Sequence, residues 1–152
     1  MTTAGAGYKR DKAARAARSR ATSQAGRDIG SIPPIRDHDA RTECERSFRA
    51  FCEITMPKRF SLEWSTDHLM ILDMLHRIGT TGGLLAVAMP RGSGKTALCE
   101  AAVLWATLNA YHPFALALGA TADKAGETIT RLKLELLTNQ TLLDLYPGVC
   151  YP

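Results

Sequence analysis

The chain has 152 residues and a formal net charge of +4, enough length for one domain with a core of its own. No apolar run reaches the roughly 20 residues that a membrane-spanning helix needs, and no signal-peptide core follows the start, which argues against a membrane or secreted protein. The charge is uneven: residues 1–31 carry seven Lys/Arg against two Asp/Glu, and the remainder twelve against thirteen. Basicity is thus an N-terminal property. It suits an arm that meets nucleic acid or another acidic surface, although a solvated arm without function fits equally well. The cysteines, Cys44, Cys52, Cys99 and Cys150, form no C-x-x-C pair and have no His cluster beside them, so a zinc site is not expected. Cys52 and Cys99 fall in apolar helical patterns and read as small buried hydrophobes in a reducing compartment.

Taken in order, residues 1–35 read as a basic disordered arm and linker. Met1 to Ser31 is rich in Gly, Ala, Arg and Ser, with too few large apolar residues to build a core. That composition also resembles a transit peptide, without other support. Ala13 to Ala17 could turn helical on a polyanion. Ile32-Pro33-Pro34-Ile35 then breaks any helix, and residues 36–152 form the ordered part. Asp39 to Ile54 reads as one helix, with Cys44, Phe48, Phe51 and Cys52 at helical spacing. Phe60 to Trp64 is an extended entry segment. Ser65 is a good N-cap for a helix running to about Ile78, with Asp67 in its first turn. Leu84–Met89 is apolar on both faces and reads as a buried parallel strand. A helix follows from Thr96 to about Ala110, with Trp105 in its core face. Phe114–Leu118 reads as a second strand. Thr121 caps another helix, with Ala125, Ile129, Leu132 and Leu136 facing inward, and Asn139 to Leu145 makes a short helix or turn. Strand, helix, strand, helix is the order of an α/β fold with a parallel sheet.

The stretch with chemistry in it is Leu84 to Thr96, LLAVAMPRGSGKT. Strand, glycine turn, Lys-Thr and helix is the order that a phosphate-binding P-loop, or Walker A motif, requires. Small residues let backbone N–H groups close around phosphate oxygens, and the helix presents its free N–H groups and positive dipole end to the anion. Lys95 can bridge the β- and γ-phosphates, and the Thr96 hydroxyl can complete the shell of a Mg²⁺ ion. The general motif opens with glycine where this chain has Met89, followed by Pro90 and Arg91. The bland alternative is a strand-to-helix turn with a solvated lysine.

With these residues in place, the chain resembles the N-terminal ATPase part of the large terminase subunit of tailed bacteriophages, from about Asp39 onward. The carriers are Trp64-Ser65-Thr66-Asp67-His68, then Ala88-Met89-Pro90-Arg91-Gly92-Ser93-Gly94-Lys95-Thr96, then Gly119-Ala120-Thr121-Ala122. Many terminases similarly lack the first glycine and carry an arginine in the loop. The resemblance implies a P-loop NTPase of the ASCE type, a parallel sheet flanked by helices, of which only the N-terminal part is present. It implies an ATP-binding motor component that couples hydrolysis to translocation of double-stranded DNA into a prohead. ATP and Mg²⁺ are its implied cofactors. Its implied partners are a small terminase subunit, a portal and further copies of itself, in the host cytoplasm of a phage or prophage and without a membrane. Pro90, Arg91, Gly92, Ser93, Gly94, Lys95 and Thr96 then match the nucleotide-binding positions. Lys95 and Arg91 are the implied catalytic residues, Arg91 neutralising charge on the transferring phosphoryl group, and Thr96 is the implied Mg²⁺ residue.

Related motors place a glutamine before the P-loop strand to read adenine; the nearest residues here are Asp67 and His68. An ATPase also needs an acidic pair after a second apolar strand, yet Phe114–Leu118 ends in Gly-Ala-Thr. Asp123 and Glu127 read as solvated residues near a helix start. The chain is therefore expected to be a fragment that does not hydrolyse ATP alone, with the acidic pair and a nuclease beyond Pro152. Two other readings stay open: another P-loop translocase such as a helicase, and a non-catalytic module binding nucleic acid or an assembly.

Overall fold

The computed structural model describes residues 15–18 and 31–150, and the chain divides into a unit of residues 1–32 and a unit of residues 33–152. In the first unit residues 15–18 are helical and exposed. Most of the basic arm expected to be disordered lies outside the described residues.

The second unit is built from capped helices. The side chain of Asp37 accepts from Ala40 N (2.9 Å) and starts α1, His38–Arg46. The sequence reads as one helix through this region, but Ser47 divides it. Its backbone is extended (φ −138°, ψ 117°), its N–H closes α1 on Glu43 O, and its hydroxyl accepts from Ala50 N to start α2, Phe48–Thr55. A serine oxygen that can replace a helical partner makes such a corner stable. The corner turns Phe48, Phe51 and Cys52 inward, all fully buried. Ser65 starts α3, Thr66–Thr81; Gly94 starts α4, Lys95–Leu108; Thr121 starts α5, Ala122–Thr138. Asn139 ends α5 and starts α6, Gln140–Leu145, and its amide also donates to Thr55 O (2.8 Å), fastening the α5–α6 corner to α2. A last turn, α7, spans Pro147–Cys150.

Helix α2 is central, touching α1, α3, α4 and α6; α3 and α5 each pack on α4. The core they enclose is aliphatic and aromatic, with Trp105, Phe48, Phe51, Leu98 and Leu142 essentially inaccessible. Ile129, expected inside, is 41% exposed, whereas Leu132 on the same helix is buried.

The expected parallel sheet is absent from the described residues: the fold is helical, and the α/β P-loop assignment is corrected accordingly. Leu84–Met89 and Phe114–Leu118 carry no strand ladder. Along the first segment, Leu84, Ala86 and Ala88 are exposed while Leu85, Val87 and Met89 are half-buried, and Val87 and Met89 pack on the helical core. The second segment leaves Phe114, Leu116 and Leu118 at least 70% exposed. Both stretches have the composition of a strand. A strand, however, is defined by hydrogen bonds to a neighbour, and neither has one here.

Burial pushes the Cys44 thiol up from 9.0 to about 12, against a smaller opposing pull from Arg41, and Cys52 rises for the same first reason. The folded chain holds these protons to higher pH than the unfolded one. Their stabilisation is therefore whole below pH 9 and is lost as pH climbs from there. We expect each buried thiol to cost roughly 1–2 kcal/mol by about pH 10.5. Thermal unfolding between pH 8 and 10.5 measures this, and Cys44→Ala should flatten the slope. Cys99, expected inside, is instead exposed.

Candidate phosphate-binding loop

The loop between Met89 and α4 takes its shape from two glycines. Gly92 and Gly94 sit at φ 84° and 77°, the left-handed region, and a Cβ at either would point into open space. Between them Ser93 N donates to Pro90 O (3.4 Å), closing a turn. Gly94 is the N-cap of α4 and offers no side chain. The helices that start at His38, Phe48, Thr66, Ala122 and Gln140 all have a capping side chain that accepts a first-turn N–H; α4 has none. Its first-turn donors are therefore left for an external acceptor.

Lys95 lies in that first turn. Its ammonium donates to Met89 O (3.2 Å) and Pro90 O (3.3 Å), so the side chain folds back over the loop. Thr96 and Arg91 are exposed, and no hydrogen bond or ion pair to another described residue engages either side chain. Ser93 Oγ is buried without a partner. Open space over both glycines, an uncapped helix start, a nearby ammonium and an orphaned hydroxyl fit a polyphosphate. Thr96, the second residue of α4, keeps its hydroxyl exposed beside them. The structure thus brings Pro90–Thr96 together as one turn.

A cavity of about 240 Å³ opens beside the loop, walled by Phe60, Trp64, His68, Gly92, Ser93 and Gly94. The three rings step along it, Phe60 to Trp64 at 5.3 Å and Trp64 to His68 at 6.0 Å between centroids. Trp64 is fixed from behind by donating to Glu53 Oε1 (2.8 Å). The Arg49 hydrogen bond, ahead of that from Trp64, holds Glu53 below the usual carboxylate range. Arg59 also lines the cavity and is anchored on Glu100.

Of the two adenine-reading candidates, Asp67 is exposed in the first turn of α3, while His68 is turned onto the loop: its Nε2 meets Ser93 O at 2.9 Å. The Gly119–Ala122 block has a structural explanation. Thr121 caps α5 on Lys124 N, and a Cβ on Gly119 would lie 2.6 Å from Ala125 N. Glu127 pairs with Lys124 (2.9 Å) on the surface. Among the described residues no group of His, Cys, Asp or Glu could hold a metal, and no helix is long and apolar enough to cross a membrane. The aromatic wall and the His68 contact were missed in the sequence. The Phe-x₃-Trp-x₃-His spacing was the available signal for the wall.

In comparisons with models of protein families, with characterised proteins and with solved structures, the chain matches none.

Proposed function

We propose that residues 90–96 bind the phosphates of ATP with Mg²⁺, and that the chain is the ATP-binding part of a viral DNA-packaging motor. The observation that carries the phosphate reading is the start of α4: no side chain caps it, Gly94 leaves it open, and Lys95 lies in its first turn with its ammonium on the loop carbonyls. In this reading Lys95 and Arg91 meet the phosphates and Thr96 meets the metal. Magnesium bound there would neutralise phosphate charge. The motor reading rests on the three sequence blocks that resemble large terminase subunits. Double-stranded DNA, a small terminase subunit, a portal and further copies of the chain are its proposed partners, in a phage-infected or lysogenic host's cytoplasm. ATP hydrolysis coupled to DNA movement is the activity of the assembled motor.

Lys95→Ala tests the loop. Losing charge-assisted hydrogen bonds to phosphate should weaken Mg-ATP binding about 10- to 100-fold in calorimetric titration. The thermal transition should be unchanged, because Lys95 bonds only to loop carbonyls. Wild-type affinity in a folded Lys95→Ala protein would end the assignment.

A further inference from the structure

We infer that His68 is a positioning residue for the loop, one that sets the direction of a backbone donor and does not read the base. This rests on the phosphate reading above. The contact runs from the second residue after the α3 start to the middle of the loop, 25 positions along the chain: His68 Nε2 to Ser93 O, 2.9 Å. A carbonyl can only accept, so Nε2 carries the hydrogen. The other ring nitrogen, Nδ1, meets the Ser65 hydroxyl at 2.7 Å. Ser65 also accepts from His68 N (3.4 Å), which caps α3. The ring is therefore fixed at both nitrogens, and Trp64 flanks it.

What it fixes is a peptide plane. Ser93 C=O and Gly94 N–H belong to one trans unit, so they point in opposite directions. Glycine at Gly94 makes a flip of this unit inexpensive, and Gly92 loosens the preceding link in the same way. The turn bond from Ser93 N is long, at 3.4 Å, and lies in the preceding peptide unit. Lys95 holds Met89 O and Pro90 O and leaves the 93–94 unit alone. Among the described residues, His68 is thus the side chain that selects one orientation of it. By holding the carbonyl, it aims the Gly94 N–H away from the ring. That amide borders the uncapped start of α4, where the phosphates are proposed to sit. A ring committed to Ser93 O and Ser65 has no donor left for a base.

The test is titration of the 152-residue chain with Mg-ATP and with Mg-pyrophosphate, which lacks a base. His68→Leu should weaken both about tenfold, the worth of one backbone donor to an anion. His68→Gln, whose amide can place N–H near the Nε2 position, should recover most of that loss. Thermal unfolding of each variant separates loop geometry from folding. Weakened ATP with unaltered pyrophosphate binding would make His68 a base reader and overturn the inference. So would full affinity for both ligands in His68→Leu, with Lys95→Ala still impaired. Absence of binding by the wild type, or indifference to Lys95→Ala, would remove the phosphate reading and the inference together.

Discussion

Trp105→Ala should destabilise the protein by about 4 kcal/mol, a large share of the 5–15 kcal/mol typical of a domain. The side chain is completely buried. Its ring lies 5.0 Å from His76, 5.0 Å from Tyr111 and 5.5 Å from Phe48, measured between centroids. Its Nε1 donates to Cys44 O at 2.7 Å, tying α4 to the end of α1. Gly79 of α3 is shaped to the same ring: a Cβ there would lie 2.6 Å from Trp105 Cζ3. Alanine at position 105 opens a cavity where α1, α2 and α3 meet α4, and it strips the Cys44 carbonyl of its donor. Trp105→Phe keeps most of the volume and loses the N–H, so it should cost less, about 1–2 kcal/mol. Urea unfolding followed by circular dichroism measures both. A loss below about 1 kcal/mol for alanine would mean that the helices do not converge on this ring.

Glu100→Ala should be nearly as damaging, for an electrostatic reason. Glu100 is 3% exposed and is the charged residue on the inner face of α4. It pairs with Arg59, in the segment after α2, and accepts from Arg131 Nε of α5 at 2.7 Å. Arg59 reaches Glu135 as well, at 3.7 Å. Removing one partner of a buried pair leaves uncompensated charge and typically costs 3–5 kcal/mol. The abandoned arginines keep some access to water, so about 3 kcal/mol is expected. Glu100→Gln should fall between wild type and alanine, since its carbonyl can still accept from one guanidinium. Chemical unfolding tests the order. Arg59 also lines the cavity beside the loop, so Glu100→Ala should disturb that wall. Equal stability in all three proteins would show the cluster to be energetically idle.

How far the chain could be read from its residues differs from element to element. Ser65 and Thr121 cap the helices they were expected to cap, because capping is decided within four residues of sequence. Trp105 faces inward as its helical spacing implies. The break at Ser47 escaped notice because Cys44, Phe48 and Phe51 keep a helical period across it, and periodicity does not register a single extended residue. Cys99 was misjudged for a related reason. The inward positions Leu98, Ala101, Trp105 and Leu108 leave it on the outer face. The strands failed at a different level. A six-residue apolar run is compatible with an extended backbone; it does not state what lies beside it. Glu100 went unremarked in the sequence, because its partners are 41 and 31 positions away and carry no local mark. For the candidate site, the residues of the turn were legible. The cavity wall and the His68 contact depend on how α3 lies against the loop, which is a tertiary fact.

Lys95, folded over Met89 O and Pro90 O, gives the loop an internal competitor. Two of the ammonium's three N–H donors are engaged, so an anion that takes more than the third must displace a carbonyl, and binding there is in part an exchange. A singly charged ion offers little in return for a broken contact. In the proposed reading a polyphosphate would satisfy the ammonium and the open helix end together, and for it the exchange would run forward. On the proposed phosphate reading, the resting lysine would act as a threshold that ligands with few anionic oxygens do not cross.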